Sequence, residues 1–354
     1  MSIEIKLLTN DLEPTYCRFL QKSPNAMFNH SLLYRDFLRE ILKGSQDRYL
    51  CAFKDNQMQA VLPLFIKHGS IGAVVNSLPF FGSHGGIIGK PNLDRKISDA
   101  LLTTLNDFCQ KVNAISCTII ESPWEDDKHR YSSYEANLID ERVGQILSLP
   151  KKDKISIVEQ SLMSLYHTKT RNMVRKGIKG GFDIDHNGSS GTLKILHTIH
   201  DEGIRRIGGT PKELSTFQAI QKIFKYNHDY RVYTARKNGQ IVSALLLFYF
   251  KDMVEYYSPV TLESYRNQQP LSLLIFRAMC DAITEKQARY WNWGGTWLNQ
   301  SGVYHFKSRW GTNDYPYRYH IKTFVDFKKE NISKSLLNDK YKNYYSIPFT
   351  VFDK

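Results

Sequence analysis

The stretch "YRVYTARKNGQIVSALLLFYFKDMVEYYSP", residues 230–259, constrains the fold more than any other part of the chain. Its three runs are rich in β-branched and aromatic side chains, which favour strands. Asn238-Gly239 predicts a type I′ turn between the first two runs, and Lys251-Asp252 predicts the next turn. We therefore expect an antiparallel meander of three strands, which excludes an all-helical fold.

Helices and short strands follow in a similar order in both halves of the chain. The first half predicts the strand "IEIKLL" (3–8), a helix over 31–43, strands from "RYLCAFK" to "GAVVNSLPF", a helix over 94–112, and the strands "AISCTIIE" (114–121) and "GQILSLP" (144–150). The second half predicts one long helix over 156–180, the strand "FDIDHN", helices over 192–207 and 212–226, the meander, a helix over 270–286 and the strand "RYWNW". This order predicts a mixed α/β fold with mostly antiparallel sheets and flanking helices.

The chain has 354 residues, which is too long for one ordinary core. The polar run "KKDK" (151–154) is the best candidate boundary. We expect two lobes of one architecture, residues 1–152 and residues 153–354. The second lobe would end in a basic tail that contains "FKKENISKSLLNDKYKNYY".

The charge balance favours polyanionic partners. Lys and Arg number 48 against 35 Asp and Glu, a net charge of +13. Nucleic acid, phosphorylated small molecules and an anionic membrane face all fit such a surplus. A solvated lysine surface without a polyanionic partner is the alternative, and charge alone does not choose between them.

The five cysteines are scattered and odd in number, which is typical of reduced thiols in a cytoplasm. The N-terminus lacks a signal-peptide pattern, and no run approaches the roughly 20 apolar residues of a membrane span. We therefore predict a cytoplasmic protein without a transmembrane segment. His197, His200 and Glu202 lie on a predicted amphipathic helix without further clustered ligands, so we predict no metal site.

The helix over 156–180 is strongly basic. Between Gln160 and Phe182 there is no acidic residue, whereas five basic residues occur: Lys169, Arg171, Arg175, Lys176 and Lys179. Arg171, Arg175 and Lys179 share one stripe of the helix. The predicted apolar face holds Val158, Leu162, Leu165, Tyr166 and Met173. The stripe either faces a phosphate or is a solvated face near the helix C-terminus, where cations suit the macrodipole.

A single lysine stands among aromatic residues in "YHFKSRWG", residues 304–311. Ser301 is the predicted N-cap of a short helix whose apolar face is Val303, Phe306 and Trp310. Lys307 lies about 40° from Val303 around the helix and so projects beside this face. Such a lysine either snorkels to solvent or meets an anion, and a fixed ammonium in a dry site can stabilise an oxyanion or hold a phosphate.

Glycines follow a strand in "LPFFGSHGG", residues 78–86, where they allow a ligand to approach the backbone closely. His84 is a candidate general base there, although a loop histidine without a visible carboxylate partner is more often without a catalytic duty. Phosphate-cradling, nucleophile-elbow and dinucleotide-binding motifs are absent from the sequence.

Four segments together resemble the Fem-type, twin-lobed acyltransferases of the GNAT superfamily: "NAMFNHSLLYRDF" (25–37), "SLPFFGSHGGIIG" (77–89), "YHTKTRNMVRKGIKGGFDI" (166–184) and "YWNWGGTWLNQSGVYHFKSRWG" (290–311). The resemblance implies two tandem GNAT-like lobes around a central cleft. It implies an N-acyltransferase that moves an acyl or aminoacyl group from acyl-coenzyme A or aminoacyl-tRNA to an amine. The implied acceptor is a nucleotide- or lipid-linked sugar or peptide, a precursor of envelope glycan or peptidoglycan, and no tightly bound cofactor is expected.

The resemblance also assigns residues. Lys307 matches the family lysine thought to stabilise charge during transfer, and His84 or Tyr304 would assist proton transfer. Acceptor contacts are implied for Tyr34, Arg35 and Arg171, and the remaining substrate-binding candidates are Arg175, Trp293, Gly294, Gly295 and Arg309.

Two departures from the family stand out. The coiled-coil arm of some members is missing. The coenzyme A signature before a helix appears as Arg266-Asn267-Gln268-Gln269-Pro270-Leu271, in which Gln269 and Leu271 replace two small residues. Arg266, Gln268 and Gln269 are the donor-binding candidates, and the donor stays open.

Two other functions remain. The first is a non-catalytic nucleic-acid or anionic-surface binding protein on a degenerate acyltransferase fold. The second is peripheral contact with the inner membrane face, where the basic tail would dock on anionic lipid.

Overall fold

The computed structural model describes residues 2–80, 84–125 and 127–353 of the chain. It divides into two compact units, which we call unit 1 (Met1–Val143 and Pro316–Lys354) and unit 2 (Gly144–Tyr315). Both units combine helices with a mostly antiparallel sheet, which confirms the predicted fold class.

The strands are β1 (Ile3–Leu7), β2 (Ser45–Lys54), β3 (Gln57–Gly69), β4 (Gly72–Asn76), β5 (Ile88–Gly89), β6 (Ala114–Ile120), β7 (Leu138–Ser148), β8 (Asp183–His186), β9 (Tyr230–Lys237), β10 (Gln240–Phe250), β11 (Met253–Thr261), β12 (Tyr290–Trp297) and β13 (Asn313–Thr323). The α-helices are α1 (Glu13–Lys22), α2 (Leu32–Ile41), α3 (Arg95–Lys111), α4 (Ile155–Leu165), α5 (Thr168–Lys179), α6 (Ser190–Arg206), α7 (Leu214–Ile223), α8 (Pro270–Thr284), α9 (Ser301–Ser308) and α10 (Lys334–Lys340).

Unit 1 is built on the strand order β1-β2-β3-β4-β6-β13. Neighbours are antiparallel except β4 and β6, which are parallel because α3 connects them. Asp94 caps α3 by accepting a hydrogen bond from the backbone of Lys96. One apolar face of α3 packs on the sheet, where Leu101 and Leu105 are fully buried.

The C-terminal segment packs on unit 1. The apolar residues Ile332, Leu337, Tyr341 and Ile347 bury against Val74 and Ile115 of its sheet. The structure therefore differs from the expected lobes, because residues 316–354 leave the second lobe and the boundary lies within β7, at Val143 and Gly144. Burial of the apolar residues of the tail, rather than the charge of its lysines, accounts for its packing on unit 1.

Unit 2 contains the meander expected from the sequence. Its strand order is β12-β11-β10-β9-β8, and β9, β10 and β11 are antiparallel neighbours. Asn238 and Gly239 have φ of 51° and 79°, as a type I′ turn requires. Helix α8 connects β11 to β12, which therefore pair in parallel.

The predicted long helix over 156–180 is two helices, α4 and α5. Tyr166 and His167 between them are extended, and the His167 side chain caps α5 by accepting from the backbone of Lys169. The buried Tyr166 ring packs on Trp310, and the His167 N–H donates to the Arg309 carbonyl at 2.9 Å. Tertiary contacts thus break a helix that the local pattern continues. On the predicted apolar face, Val158, Leu162 and Tyr166 are buried, whereas Leu165 is exposed.

Candidate active site

Strands β11 and β12 pair over only three residues each, and the last registered pair is Glu255 and Asn292. Both side chains are buried. The Asn292 amide donates to Glu255 Oε2 at 2.7 Å, while Glu255 Oε1 has no hydrogen-bond partner among the described residues. Burial raises the pKa of Glu255 to about 8, against a smaller lowering by the Asn292 bond.

A β-bulge interrupts β11 two residues further on. The register with β10 shifts between Leu246, which faces Ser258, and Leu247, which faces Tyr256, so Tyr257 is the extra residue. A bulge bends its strand and often lies beside a functional site. The parallel pairing with β12 ends just before this bulge.

Asn292 also holds the glycine pair that follows it. Its Oδ1 accepts a 2.9 Å hydrogen bond from the Gly294 N–H. Gly294 has a φ of +72°, and a Cβ there would meet nothing within 4 Å. The left-handed backbone, and not a lack of space, therefore requires glycine at this position.

Lys307 reaches the same turn from α9. Its side chain is buried, with 7% of the residue exposed. Nζ donates to the carbonyls of Gly294 and Gly295 at 3.3 and 3.0 Å and to Thr296 Oγ1 at 2.9 Å. Burial lowers the pKa of Lys307 to about 8. The amine points into the protein, so Lys307 does not snorkel, and these three acceptors match the three donors of an ammonium.

Helix α9 differs from its prediction at two positions. Gln300, not Ser301, is the N-cap residue, and no side chain caps the helix. Val303 is 43% exposed, so the packed face consists of Phe306 and Trp310. Trp293, predicted to bind substrate, lies in the core with its ring 5.9 Å from Phe306 and 5.4 Å from Trp310.

A second chain of contacts leads from Thr296 to Tyr304. Thr296 Oγ1 donates to Gln145 Oε1 at 3.3 Å, and Gln145 Nε2 donates to the Tyr304 carbonyl at 3.3 Å. The Tyr304 hydroxyl donates to Asp314 at 2.6 Å, and this bond raises the pKa of Tyr304. A phenol held in this way is a proton donor, which disfavours the predicted role of Tyr304 as a base.

A pocket of about 540 Å³ lies between α6, β11 and the start of α8. Its walls are mainly apolar, with Ile199, Ile204, Val260, Leu271 and Phe306, and its polar lining includes His200, Arg266, Gln269 and Ser272. We call it the α8 pocket. Of the predicted donor-binding residues, Arg266 and Gln269 line it, and Gln268 lies in the turn before it.

Gln269 has a φ of +63° and precedes α8, whose N-terminus has no side-chain cap. The Gln269 amide turns to its neighbours, since Nε2 donates to the Arg266 carbonyl and Oε1 accepts from Ser272 Oγ. The first turn of α8 therefore presents the N–H groups of Leu271 and Ser272 at the pocket, a position that suits an anion. Arg266 is half exposed and pairs with Glu263 at 3.0 Å.

Helix α5 brings its cations close to the same helix start. A Cβ on Gly177 would lie 2.7 Å from the Gln269 carbonyl, so α5 and α8 touch there. An open pocket beside this contact is lined by Lys169, Lys176 and Gln269. The five basic residues Lys169, Arg171, Arg175, Lys176 and Lys179 form no ion pair within the described part of the chain.

Arg171, predicted to contact the acceptor, and Arg175, a predicted substrate-binding residue, both bond to their own helix region. Arg171 donates to the Tyr166 carbonyl and to Thr168 Oγ1, and Arg175 donates to Asn172. Arg309 is the C-cap of α9. His200 accepts a 3.1 Å hydrogen bond from the Lys212 N–H, so this histidine supports a loop beside the α8 pocket.

Three predicted site residues lie in unit 1. Tyr34 is buried in an aromatic cluster with Phe28 and Phe37. Arg35 is also buried, and its ion pairs with Glu13 at 2.7 Å and Asp36 at 2.9 Å occupy its charge. The acceptor contacts of Tyr34 and Arg35 stay predictions that these buried positions do not support.

His84, the third of these residues, is buried as well. Its Nδ1 lies 3.1 Å from the Glu121 carbonyl, and its ring packs edge-on against Tyr317 at 4.7 Å. Its role as a base stays a prediction.

The corresponding strand pair of unit 1 is filled by the chain itself. The last registered pair of β4 and β6 is Asn76 and Thr118. Asn76 exchanges two hydrogen bonds of 2.8 Å with the backbone of Tyr345, and Thr118 Oγ1 donates to the same carbonyl. In unit 1 the C-terminal segment thus bonds to the last residue pair of the parallel strands. In unit 2 the last residue pair includes Glu255, whose Oε1 has no hydrogen-bond partner among the described residues.

Sequence reasoning missed Glu255, Asn292 and Gln145. A signal was present for the first two, because "MVEYY" and "YWNWGG" each place one carboxyl or amide side chain among apolar, aromatic and glycine residues. Such a residue is costly to bury without a partner and so marks a site. Gln145 gives no comparable signal.

Residues 168–308 match the acetyltransferase (GNAT) domain family. This segment runs from α5 to α9 and includes the α8 pocket, the β11–β12 pair and Lys307, so unit 2 carries an acyltransferase domain of the GNAT type. No curated protein sequence matches the chain. No helix among the described residues has both the length and the apolar character to cross a bilayer.

Three solved structures share the fold along nearly the whole chain. FemX is 14% identical, with 89% of this chain and 96% of that chain covered and a TM-score of 0.70. A tandem GNAT protein from the clavulanic acid biosynthesis pathway is 10% identical over 92% of this chain and 99% of its own, with a TM-score of 0.56. The C-terminal domain of a putative lysylphosphatidylglycerol synthetase from Agrobacterium fabrum is 10% identical over 95% and 98%, with a TM-score of 0.54. The resemblance to twin-GNAT, Fem-type proteins is confirmed at the level of the fold.

Proposed function

We propose that the chain transfers an acyl or aminoacyl group from an activated donor to an amine on a precursor of the cell envelope. The observation that carries this proposal is the α8 pocket, which lies between an uncapped helix start, the end of β11 and Phe306, the residue before Lys307, within the matched domain. The donor is acyl-coenzyme A or aminoacyl-tRNA, and we place the reaction in the cytoplasm, where both are made.

The α8 pocket fits a donor that carries phosphate. The N–H groups of Leu271 and Ser272 and the helix dipole favour an anion at its polar end. Its apolar walls fit a less polar arm that runs towards β11. Among the described residues of unit 1, Tyr345 occupies the strand pair that corresponds to Glu255 and Asn292, which supports one donor site per chain.

The transfer step needs no covalent enzyme intermediate. The nitrogen of a neutral amine attacks the acyl carbon, a C–N bond forms, and the C–S bond of a thioester or the C–O bond of an aminoacyl ester breaks. The amine loses one proton to solvent, and the leaving group takes one up. The chain contributes by positioning both reactants and by the positive charge of Lys307, which acts strongly because the site is dry.

The proposal of an envelope acceptor rests on similarity to other proteins. The sequence resembles enzymes that aminoacylate peptidoglycan precursors, and one protein of the same fold is named for lysylphosphatidylglycerol, an aminoacylated lipid. The cations of α5 support an acceptor or donor with several phosphates. We propose a nucleotide- or lipid-linked amino sugar or peptide, with peripheral contact to the inner membrane face for a lipid-linked one.

A transfer assay tests this proposal. The protein is incubated with acetyl-coenzyme A or aminoacyl-tRNA and a panel of nucleotide-linked amino sugars and muropeptides, and acceptor mass is measured. We expect a mass increase that Lys307→Ala lowers through kcat more than through KM. RNA binding with a steep salt dependence and no transfer to any acceptor would replace the proposal with the nucleic-acid binding function.

A further inference from the structure

Four groups of unit 2 form one chain of hydrogen bonds. Glu255 accepts from the Asn292 amide at 2.7 Å, Asn292 accepts from the Gly294 N–H at 2.9 Å, and the Gly294 carbonyl accepts from Lys307 at 3.3 Å. Each link is within hydrogen-bond range, and all three side chains are buried. This series of hydrogen bonds connects β11, β12 and α9.

Asn292 is the residue in this series whose side-chain amide both donates and accepts a hydrogen bond, so it can take two orientations. An amide has a donor side and an acceptor side, and only one orientation gives the NH₂ to Glu255 and the oxygen to the Gly294 N–H. The Gly294 N–H can only donate and Glu255 Oε2 accepts from the NH₂, so these two partners together select this orientation. The bond to Gly294 in turn supports a φ of +72°, which turns the carbonyls of Gly294 and Gly295 towards Lys307.

We propose that Asn292 is a positioning residue, oriented by Glu255, that shapes the Gly294–Gly295 turn so that its carbonyls hold the Lys307 amine in the buried site. The importance of this arrangement for acyl transfer rests on the proposed function, whereas its effect on Lys307 does not. Neither Asn292 nor Glu255 contacts substrate in this account.

Charged groups on the helices packed against β11 do not explain the state of Glu255. Helix α6 carries His200 and Asp201, and α8 carries Arg277 and Asp281. Burial and the Asn292 hydrogen bond are the two causes of the Glu255 pKa shift among the described residues. The orientation of Asn292 is thus the connection between Glu255 and the turn.

The test measures the Lys307 amine directly. Trace acetic anhydride labels lysines at a series of pH values between 6 and 11, and mass spectrometry of the Lys307 peptide gives its titration curve. In the wild type we expect a midpoint near 8. In Asn292→Ala the turn relaxes, water reaches the amine, and the midpoint moves up by more than one pH unit towards the ordinary value for lysine.

A second pair of variants separates positioning from loss of the fold. Glu255→Gln keeps an oxygen for the Asn292 amide, so we expect the wild-type midpoint. Glu255→Leu frees the amide to rotate, so we expect an upward shift in the direction of Asn292→Ala. Asn299→Ala removes an exposed amide from the same strand–helix connection and is the matched control, with no shift expected.

A wild-type Lys307 midpoint in both Asn292→Ala and Glu255→Leu overturns the positioning role. If Asn292→Ala unfolds, the contrast between Glu255→Gln and Glu255→Leu decides alone, and equal midpoints overturn the proposal. Because no donor or acceptor is present, this outcome is independent of the transfer assay. Failure of transfer with shifted midpoints would reject the proposed function and keep the inference.

Discussion

Glu255 and Asn292 face each other as the last registered pair of two parallel strands, and the amide of Asn292 donates a 2.7 Å hydrogen bond to the carboxyl of Glu255. One carboxyl oxygen then has no partner among the described residues. A buried carboxyl in this position is easier to keep protonated than ionised. Its protonation makes stability depend on pH.

Glu255→Gln should remove part of the pH dependence of stability. The folded pKa of about 8 lies above the ordinary value of 4.5, so the stability from the protonated carboxyl is complete below 4.5 and is lost as pH rises to 8. At about 1.4 kcal/mol per pKa unit, the free energy of unfolding of the wild type should fall a few kcal/mol behind the variant by pH 8.5. Urea unfolding at pH 5 and 8.5 measures this, and an equal difference at both pH values would contradict it.

Lys307→Met should show the opposite dependence. The folded pKa of about 8 lies below the ordinary 10.5, so the stability that Lys307 contributes is complete above 10.5 and is lost as pH falls through 8. Between pH 8 and 10 the wild type should gain free energy of unfolding over the variant, by a few kcal/mol at most. Parallel curves for the two proteins would show that Lys307 titrates normally.

Gln269→Gly should improve the donor site. A non-glycine residue at a φ of +63° costs roughly 1 kcal/mol, and glycine adopts this conformation freely. We expect stability to be retained within about 1 kcal/mol, since the lost Gln269 bonds offset the relieved backbone. Donor affinity should rise, measured by calorimetry. Asn267→Gly, in the same turn, is the control and should leave affinity unchanged.

Asn76→Leu should destabilise unit 1. The substitution leaves the N–H of Tyr345 without its buried partner and its carbonyl with only the Thr118 hydroxyl, which costs about 2 to 3 kcal/mol. Asn137 is the matched control, because its exposed amide also makes two hydrogen bonds to one residue, Thr323. Thermal unfolding should show a much smaller loss of stability for Asn137→Leu than for Asn76→Leu. Similar losses of stability in the two variants would contradict the stabilising role of the contact between Asn76 and the C-terminal segment.

Local chemistry made much of unit 2 predictable. Asn238-Gly239 defines its hairpin because few other dipeptides take positive φ at both positions. Helical spacing placed Lys307 beside an apolar face but left open whether its amine snorkels to solvent, and Val303 of that face is exposed. The sequence did not predict the hydrogen-bond partners of Lys307, since two of the three are backbone carbonyls of a turn that we propose depends on Asn292, 15 positions earlier in the sequence.

Other features depend on contacts far apart in sequence. The break at Tyr166 and His167 needs Trp310 and the Arg309 carbonyl, and the tail joins unit 1 through apolar residues that a charge count overlooks. The sequence predicts Arg35 as a cation available to a substrate, whereas in the structure it forms an ion pair with Glu13. Tertiary packing overrides the local pattern at each of these positions.

The most direct test of the account is whether the α8 pocket holds the donor. Gly203 lines this pocket, and a Cβ there meets no atom within 4 Å, so Gly203→Trp should fill the pocket without a clash at the backbone. Gly191→Trp lies on the same helix at another pocket and is the control. The measurement is the unfolding midpoint with and without acetyl-coenzyme A or an aminoacyl-tRNA minihelix. A donor at 100 times its Kd should add about 2.7 kcal/mol to the wild type and to Gly191→Trp, with little gain for Gly203→Trp. No stabilisation by either donor, or equal stabilisation of Gly203→Trp, would contradict the account.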